Sequence, residues 1–269
     1  MININFSLES IEYFILILIR IASFMVSAPF FNMSNTPRRV KIGFAACVSV
    51  IVYEILPKTV LTYDGMLGYS VIVVKEVTTG LFLGLAANIC TYIVQVAGNM
   101  IDMHIGLSMA TEYDPVTMTQ SAVSGNLYNY LVLLLLVVTN MQHYILRAIV
   151  DSYQVLPING QNFNWNHMMT TMVALMSDIF ILAFRMVLPV FACIMILNVI
   201  LGIMAKVAPQ MNMFAIGIQL KILLGFLIMF LTIGLLPYIS DFVFSEMKKI
   251  MTMMLEGMHE KWKRKKGFC

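Results

Sequence analysis

Charge is what this sequence has least of. Only 12% of its 269 residues are Asp, Glu, Lys or Arg, roughly half the share found in soluble domains. Hydrophobic residues make up 60% and the mean hydropathy is +0.85. So little charge cannot cover a water-exposed surface, which points to an integral or membrane-assembled all-α bundle with little room for a separate soluble domain. Cysteine is also sparse. Cys47, Cys90 and Cys193 lie in separate apolar runs and Cys269 is terminal. Without a CxxC or a metal-ligand spacing, these exclude a disulfide framework and predict free thiols. The first 19 residues carry Glu9 and Glu12 but no basic residue, so no cleavable signal peptide is expected. Catalytic signatures are missing as well: there is no GxSxG, HExxH or phosphate-binding loop. His104, His143, His167 and His259 have no ligand spacing, and Asp102 lies only two residues from His104, off its helical face. No enzyme, cofactor, metal or nucleic-acid partner is expected.

What the sequence does have is long apolar runs. Residues 11–30 form a first helix, stopped near Ala28-Pro29 and interrupted by Arg20. Arg20 either finds a partner inside a bundle or snorkels to the interface. The connector at 29–41 holds Arg38, Arg39 and Lys41, a cytoplasmic signal. A second helix covers 40–56, closed by Pro57-Lys58, and Asp64-Gly65 marks a turn. A long helical pattern follows over 68–103. On it Gly80, Gly84, Ala87 and Thr91 recur at fours and threes, a small-residue face for close helix packing. Asn88, Gln95, Asn99 and Asp102, continued by Gly106, form a polar stripe that suits a bundle interior or a wet channel better than lipid. Lys75 and Glu76 are adjacent and cannot face one another, so they are expected to belong to an interface or to pair with partners elsewhere.

Residues 98–118 match neither a lipid-facing helix nor a water-exposed loop. Asp102, Glu112 and Asp114 stand among four methionines, with glycines and Asp114-Pro115 as breaks. Irregular backbone between apolar helices is tolerated where protein or water satisfies its amides, which suits a protein-lined cavity, a pore or a subunit contact. The plainer alternative is an extramembrane connector. A lipid-like helix follows at 127–138, extending towards 149, and then an exposed loop at 151–167. Residues 168–205 are too many for one upright span, so they form either one long kinked helix or a hairpin of two. Asp178 and Arg185, seven apart on one face, read as structural polar contacts. A second irregular linker over 202–217 leads to Gly217, Lys221 and Gly225, spaced by fours; Lys221 counts with Arg20 among the structural polar contacts. An apolar run at 225–244, broken by Pro237, completes a single helical domain over 1–245. Residues 246–269 form a basic tail, expected to be cytoplasmic and able to meet anionic lipid. With both the Arg38–Lys41 region and the tail in the cytoplasm, five intervening apolar blocks leave an odd count. Either 168–205 crosses twice, or the helices assemble with others in a protein-lined object.

The chain resembles the FliR/SctT family of subunits of the flagellar and virulence type III secretion export gate. The likeness rests on Arg20 with Ala28-Pro29-Phe30, on Pro37, Arg38 and Val40, on Gly80 and Gly84, on AGNMIDMHIGLSMATEYDP at 97–115, and on PQMNMFAIGIQLK at 209–221. It implies a non-enzymatic subunit, one copy assembled with P-type and Q-type membrane subunits around the path of unfolded proteins. It also implies contact with a large cytoplasmic gate component, and a place in the bacterial inner membrane at a flagellar basal body or injectisome base. The family's inward-facing plug loop falls at 106–115. That makes Gly106, Leu107, Met109, Glu112 and Tyr113 gate candidates, with methionine able to pack adaptably around an irregular opening. The competing class is a secondary transporter whose broken helices at 98–118 and 205–212 form a substrate site.

Overall fold

The computed structural model describes residues 8–29, 31, 37–57, 63, 65–109, 112–114, 119–161, 165–210, 212–234 and 236–258. Asp64 of the expected turn, most of the 30–36 connector, and the tail beyond 258 with His259 lie outside them. Among the described residues are nine α-helices: α1 (Leu8–Ser27), α2 (Arg38–Ile55), α3 (Gly65–Ala87), α4 (Ile89–Ile105), α5 (Val123–Val138), α6 (Met141–Val155), α7 (Trp165–Val207), α8 (Met213–Ile233) and α9 (Leu236–Gly257). A 3-10 turn, Leu107–Met109, and two three-residue strands, β1 (Glu112–Asp114) and β2 (Thr119–Ser121), lie between α4 and α5. Four helical stretches are long and apolar enough to cross a membrane: Ser10–Ser27, Gly65–Ala87, Asn166–Val207 and Ala215–Ile233. The pair α5 and α6 makes a fifth if counted as one broken span.

Two compact units are assembled from interleaved parts of the chain. The first takes its residues from Met1–Ile89, Asn140–Leu175 and Glu246–Cys269. Its core is the packing of α1 on α3. Leu16, Ile17, Ile21 and Phe24 of α1, and Ala28 just beyond its end, are fully buried, and from Ile17 onward their fours and threes place them on one helical face. Opposite them, Gly80 and Gly84 bring the α3 backbone directly onto α1. A Cβ on Gly80 would collide with Ser23 Oγ and the Arg20 carbonyl, and one on Gly84 with Ser27 Oγ and the Phe24 carbonyl. Ala87, one turn further, is fully buried. Tyr53 of α2 packs its ring against Tyr13 and Phe14 of α1, with centroids 6.2 and 6.0 Å away.

The second unit comprises Cys90–Thr139 and Met176–Ser245. Here α4 meets α5 where Gly98 faces Gly125, so closely that a Cβ on Gly98 would overlap the Gly125 backbone. Gly225 of α8 is the slot for the Ile105 side chain. The Tyr128 and Thr232 hydroxyls share a hydrogen bond at 3.1 Å.

Several boundaries differ from the sequence reading. The 68–103 pattern is two helices, because the chain turns at Asn88, whose N–H still reaches the carbonyls of Gly84 (3.0 Å) and Leu85 (3.1 Å). The helix expected to run from 127 towards 149 stops at Val138. Asn140 takes the left-handed conformation, φ 57°, which asparagine tolerates better than most side chains, and α6 starts after it. The 151–167 loop is shorter and less exposed than expected: α6 runs to Val155, and Leu156, Ile158 and Gln161 are buried. For 168–205 the hairpin alternative falls away, since α7 is one helix of 43 residues with Pro189 inside it. At 1.5 Å per residue it is about 64 Å long, roughly twice a bilayer core. The second linker shrinks to 208–212, because α7 continues to Val207 and Asn212 caps α8 by accepting the Ala215 N–H at 3.4 Å.

Candidate functional site

The stretch singled out at 98–118 begins as helix, not as irregular chain. α4 continues through Gly98 to Ile105, and the irregular path starts at Gly106. The Gly106 N–H closes the helix by donating to the Asp102 carbonyl at 3.0 Å, and its φ of +93° is open to glycine but strained for any other residue. Leu107 is half-buried and Ser108 exposed. After the 3-10 turn, β1 and β2 pair antiparallel, with Glu112 opposite Ser121, Tyr113 opposite Gln120 and Asp114 opposite Thr119. The expected irregular element thus contains a short hairpin. Gly106 and Leu107 are placed in full. Met109, Glu112 and Tyr113 are placed by backbone alone, and the directions of their side chains lie outside what is described.

Asp102 anchors this segment from below. It is 2% exposed, and its Oδ2 accepts the Ser124 N–H at 3.3 Å, tying the end of α4 to the start of α5. The bond satisfies an N–H of the first α5 turn, where a helix has no partner of its own and favours a carboxylate. Asp102 Oδ1 is buried with no hydrogen-bond partner among the described residues. The hydroxyl of Ser124 points to Met229 Sδ at 3.4 Å. Asp102, Gly98 with Gly125, and Ser124 together fix the base from which the Gly106 segment departs. The remaining stripe residues are not alike: Asn88 and Gln95 are half-buried, whereas Asn99 is exposed. His104 is edge-on to Phe191 at 4.9 Å, a packing role.

The other structural candidates also separate. Asp178 and Arg185 do not pair. Arg185 is exposed and its guanidinium lies 5.8 Å over the Phe242 ring, while Asp178 is half-buried. A shared helical face over two turns brings residues into line but leaves about 10 Å of rise between them, too far for contact. Lys221 is half-buried on α8.

Arg20, in contrast, is the centre of a buried polar cluster. Its Nε donates to Glu76 Oε2 at 2.5 Å, with both side chains fully buried. Its Nη1 donates to the Leu156 carbonyl at 2.9 Å, and the guanidinium sits 4.1 Å over the Tyr153 ring. Glu76 Oε1 accepts from Gln161 Nε2 at 2.8 Å, and Tyr153 donates its hydroxyl to the Ile17 carbonyl at 3.0 Å. The snorkelling alternative therefore falls away. Glu76 was expected to belong to an interface or to pair elsewhere, and it pairs with Arg20 and Gln161, but Tyr153 and Gln161 carry no local signal. Gln161 sits in a segment that looked like exposed loop, and only the fold returns it to α3. Among the described residues no three His, Cys, Asp or Glu side chains gather in a way that holds a metal ion.

The family pattern "Bacterial export proteins, family 1" matches residues 11–247. The chain is similar to the flagellar biosynthetic protein FliR of Bacillus subtilis, 32% identical over 244 residues that cover 90% of this chain and 93% of the relative. It is 27% identical over 241 residues to FliR of Escherichia coli, covering 90% and 92%. Against FliR of Aquifex aeolicus it is 24% identical over 240 residues, covering 88% and 92%.

Proposed function

The chain belongs to the bacterial export proteins, family 1, and is a non-enzymatic membrane subunit of a protein-export gate; we propose that within this gate the segment after Gly106 is the closing element of the conduit. The observation that carries this reading is the abrupt end of α4. A membrane-compatible helix stops at a glycine with φ +93°, and the chain continues as a 3-10 turn and a hairpin that no long apolar helix could absorb. Backbone of this kind is retained between apolar helices where it lines a protein cavity. In the closed gate Leu107, Met109 and Tyr113 fill the opening, with Glu112 beside them. Asp102 holds the base of the segment through Ser124. Opening follows engagement of the cytoplasmic export machinery and admits an unfolded chain.

The assembly we propose has one copy of this chain among P-type and Q-type membrane subunits. Residues 1–245 act as one export-gate domain, and the basic tail reaches a large cytoplasmic component or anionic lipid. The named relatives are flagellar proteins, which favours a flagellar basal body in the inner membrane over an injectisome. Two of the residues that suggested a transporter make packing contacts instead: Asp102 Oδ2 accepts the Ser124 N–H at a helix start, and the Arg185 guanidinium lies over the Phe242 ring.

Coexpression with neighbouring membrane subunits, followed by intact-complex mass measurement in mild detergent, tests the assembly. One copy of this chain among several copies of two small helical partners is expected. A solitary monomer or homo-oligomer, unchanged by coexpression, contradicts it.

A further inference from the structure

The second unit contains three Lys or Arg residues, Arg185, Lys206 and Lys221. Two of them are accounted for. Arg185 is exposed and lies over the Phe242 ring, and Lys206 is exposed in the last turn of α7. Lys221 is different, because α8 turns it inward. It stands midway between Gly217, against which Leu201 of α7 packs, and Gly225, which receives Ile105 of α4, and residues four apart share a helical face. Half-buried in that row, its ammonium has no hydrogen bond or ion pair among the described residues. Asp102 is level with Met229, about 12 Å along α8 from Lys221, and Asp178 lies more than six turns before Leu201 on α7. Neither reaches it.

Register within the unit shows what Lys221 stands beside. Ile105 meets Gly225, while Ser124, which holds Asp102, meets Met229, so α8 runs antiparallel to α4. Lys221, four residues before Gly225, is therefore about 6 Å beyond the level of Ile105. There α4 has ended. The chain that leaves it at Gly106 carries two acids before α5, Glu112 and Asp114, and has no Lys or Arg before Arg147. Both acids are on β1, two residues apart, which puts them on the same face of the ribbon and Tyr113 on the other. Resting on the reading of this segment as the closing element, we infer that Lys221 latches it: in the closed gate the ammonium pairs with Glu112 or Asp114. A half-buried cation gains more from a carboxylate than a surface lysine does, because the apolar side chains around it weaken the solvent screening that makes exposed pairs nearly worthless. The end of α4 adds to the attraction, since the last carbonyls of a helix favour a nearby cation. One charge pair holds the segment shut, and its release requires no helix to unfold.

The test is dye release and ion flux from vesicles that hold the coexpressed gate complex. Lys221→Glu is expected to assemble and to leak at least about ten-fold more than wild type, since it sets like charges together in a partly desolvated place. Lys221→Arg stays tight, and adding Glu112→Lys with Asp114→Lys to Lys221→Glu restores tightness. A role in helix packing alone, or as a cap on α4, leaves the leak uncorrected by that exchange. A Lys221→Glu complex as tight as wild type, or a leak that the exchange does not correct, overturns the inference. Where Lys221→Glu fails to assemble, the wild-type complex decides. A carbodiimide, which joins an amine to a carboxylate in direct contact, is expected to couple Lys221 to Glu112 or Asp114, read by mass spectrometry of the joined peptides. Coupling of Lys221 elsewhere, or none, overturns the inference. Tight Lys221 variants beside a leaking chain shortened between Gly106 and Asp114 contradict the latch and leave the closing element standing. A shortened chain that is tight as well contradicts both.

Discussion

Arg20 shows how one side chain organises the first unit. A guanidinium taken fully out of solvent is tolerable only when its charge and its N–H groups are met, and Glu76, the Leu156 carbonyl and the Tyr153 ring meet them. Removing one charge is worse than removing both. Arg20→Met leaves Glu76 buried with only Gln161 for company and is expected to cost about 3–5 kcal/mol, whereas Arg20→Met combined with Glu76→Met recovers most of that. Thermal unfolding of the detergent-extracted protein checks this; equal loss in the single and double variants contradicts it. From the sequence, Arg20 was readable as an anomaly within an apolar run and Glu76 as a residue of an interface or one paired elsewhere. Their pairing was not, because helical periodicity assigns a residue to a face without saying which helix that face meets. Asp178 and Arg185 are the converse: same face, no contact.

Close helix crossings are set by glycines, and the structure separates those that are needed from those that are not. Gly98 lies against the Gly125 backbone, while a Cβ on Gly43 would meet nothing within 4 Å. Gly98→Val is therefore expected to destabilise by about 1–3 kcal/mol or more through overpacking, and Gly43→Ala to change little; both are read from melting temperature and yield of the extracted protein. Gly106 acts through its dihedral instead. The space around it is open, so Gly106→Ala meets no clash, but φ +93° makes it strained by about 1–3 kcal/mol. Loss of export in a motility or secretion assay, with the yield of assembled complex retained, is the expected result. Helix existence was legible throughout from apolar runs and prolines, and the small-residue face of α3 from spacing alone. The ends were harder. Asn140 breaks a helix by a left-handed conformation that asparagine permits but does not require, and the break at Asn88 has no marker in the sequence. The linkers at 98–118 and 202–217 were overextended because glycine and methionine within a helix resemble a loop when only composition is read.

At the scale of the molecule, an all-α membrane chain was expected and is what the fold and the family match show, with a short hairpin where irregular backbone was anticipated. The awkward count of crossings has a physical source. α7 is a single helix about 64 Å long, roughly twice a bilayer core, so this block is not one upright span. A helix of that length and an irregular segment after Gly106 fit the gate assembly proposed above. The most direct test of that account is the permeability of the assembled gate. Complexes carrying the wild-type chain, or one shortened between Gly106 and Asp114, would be reconstituted in vesicles and followed by ion flux and small-dye release. The account predicts a tight wild type and a shortened variant that assembles normally but leaks; a shortened variant that assembles and stays as tight as wild type would contradict it.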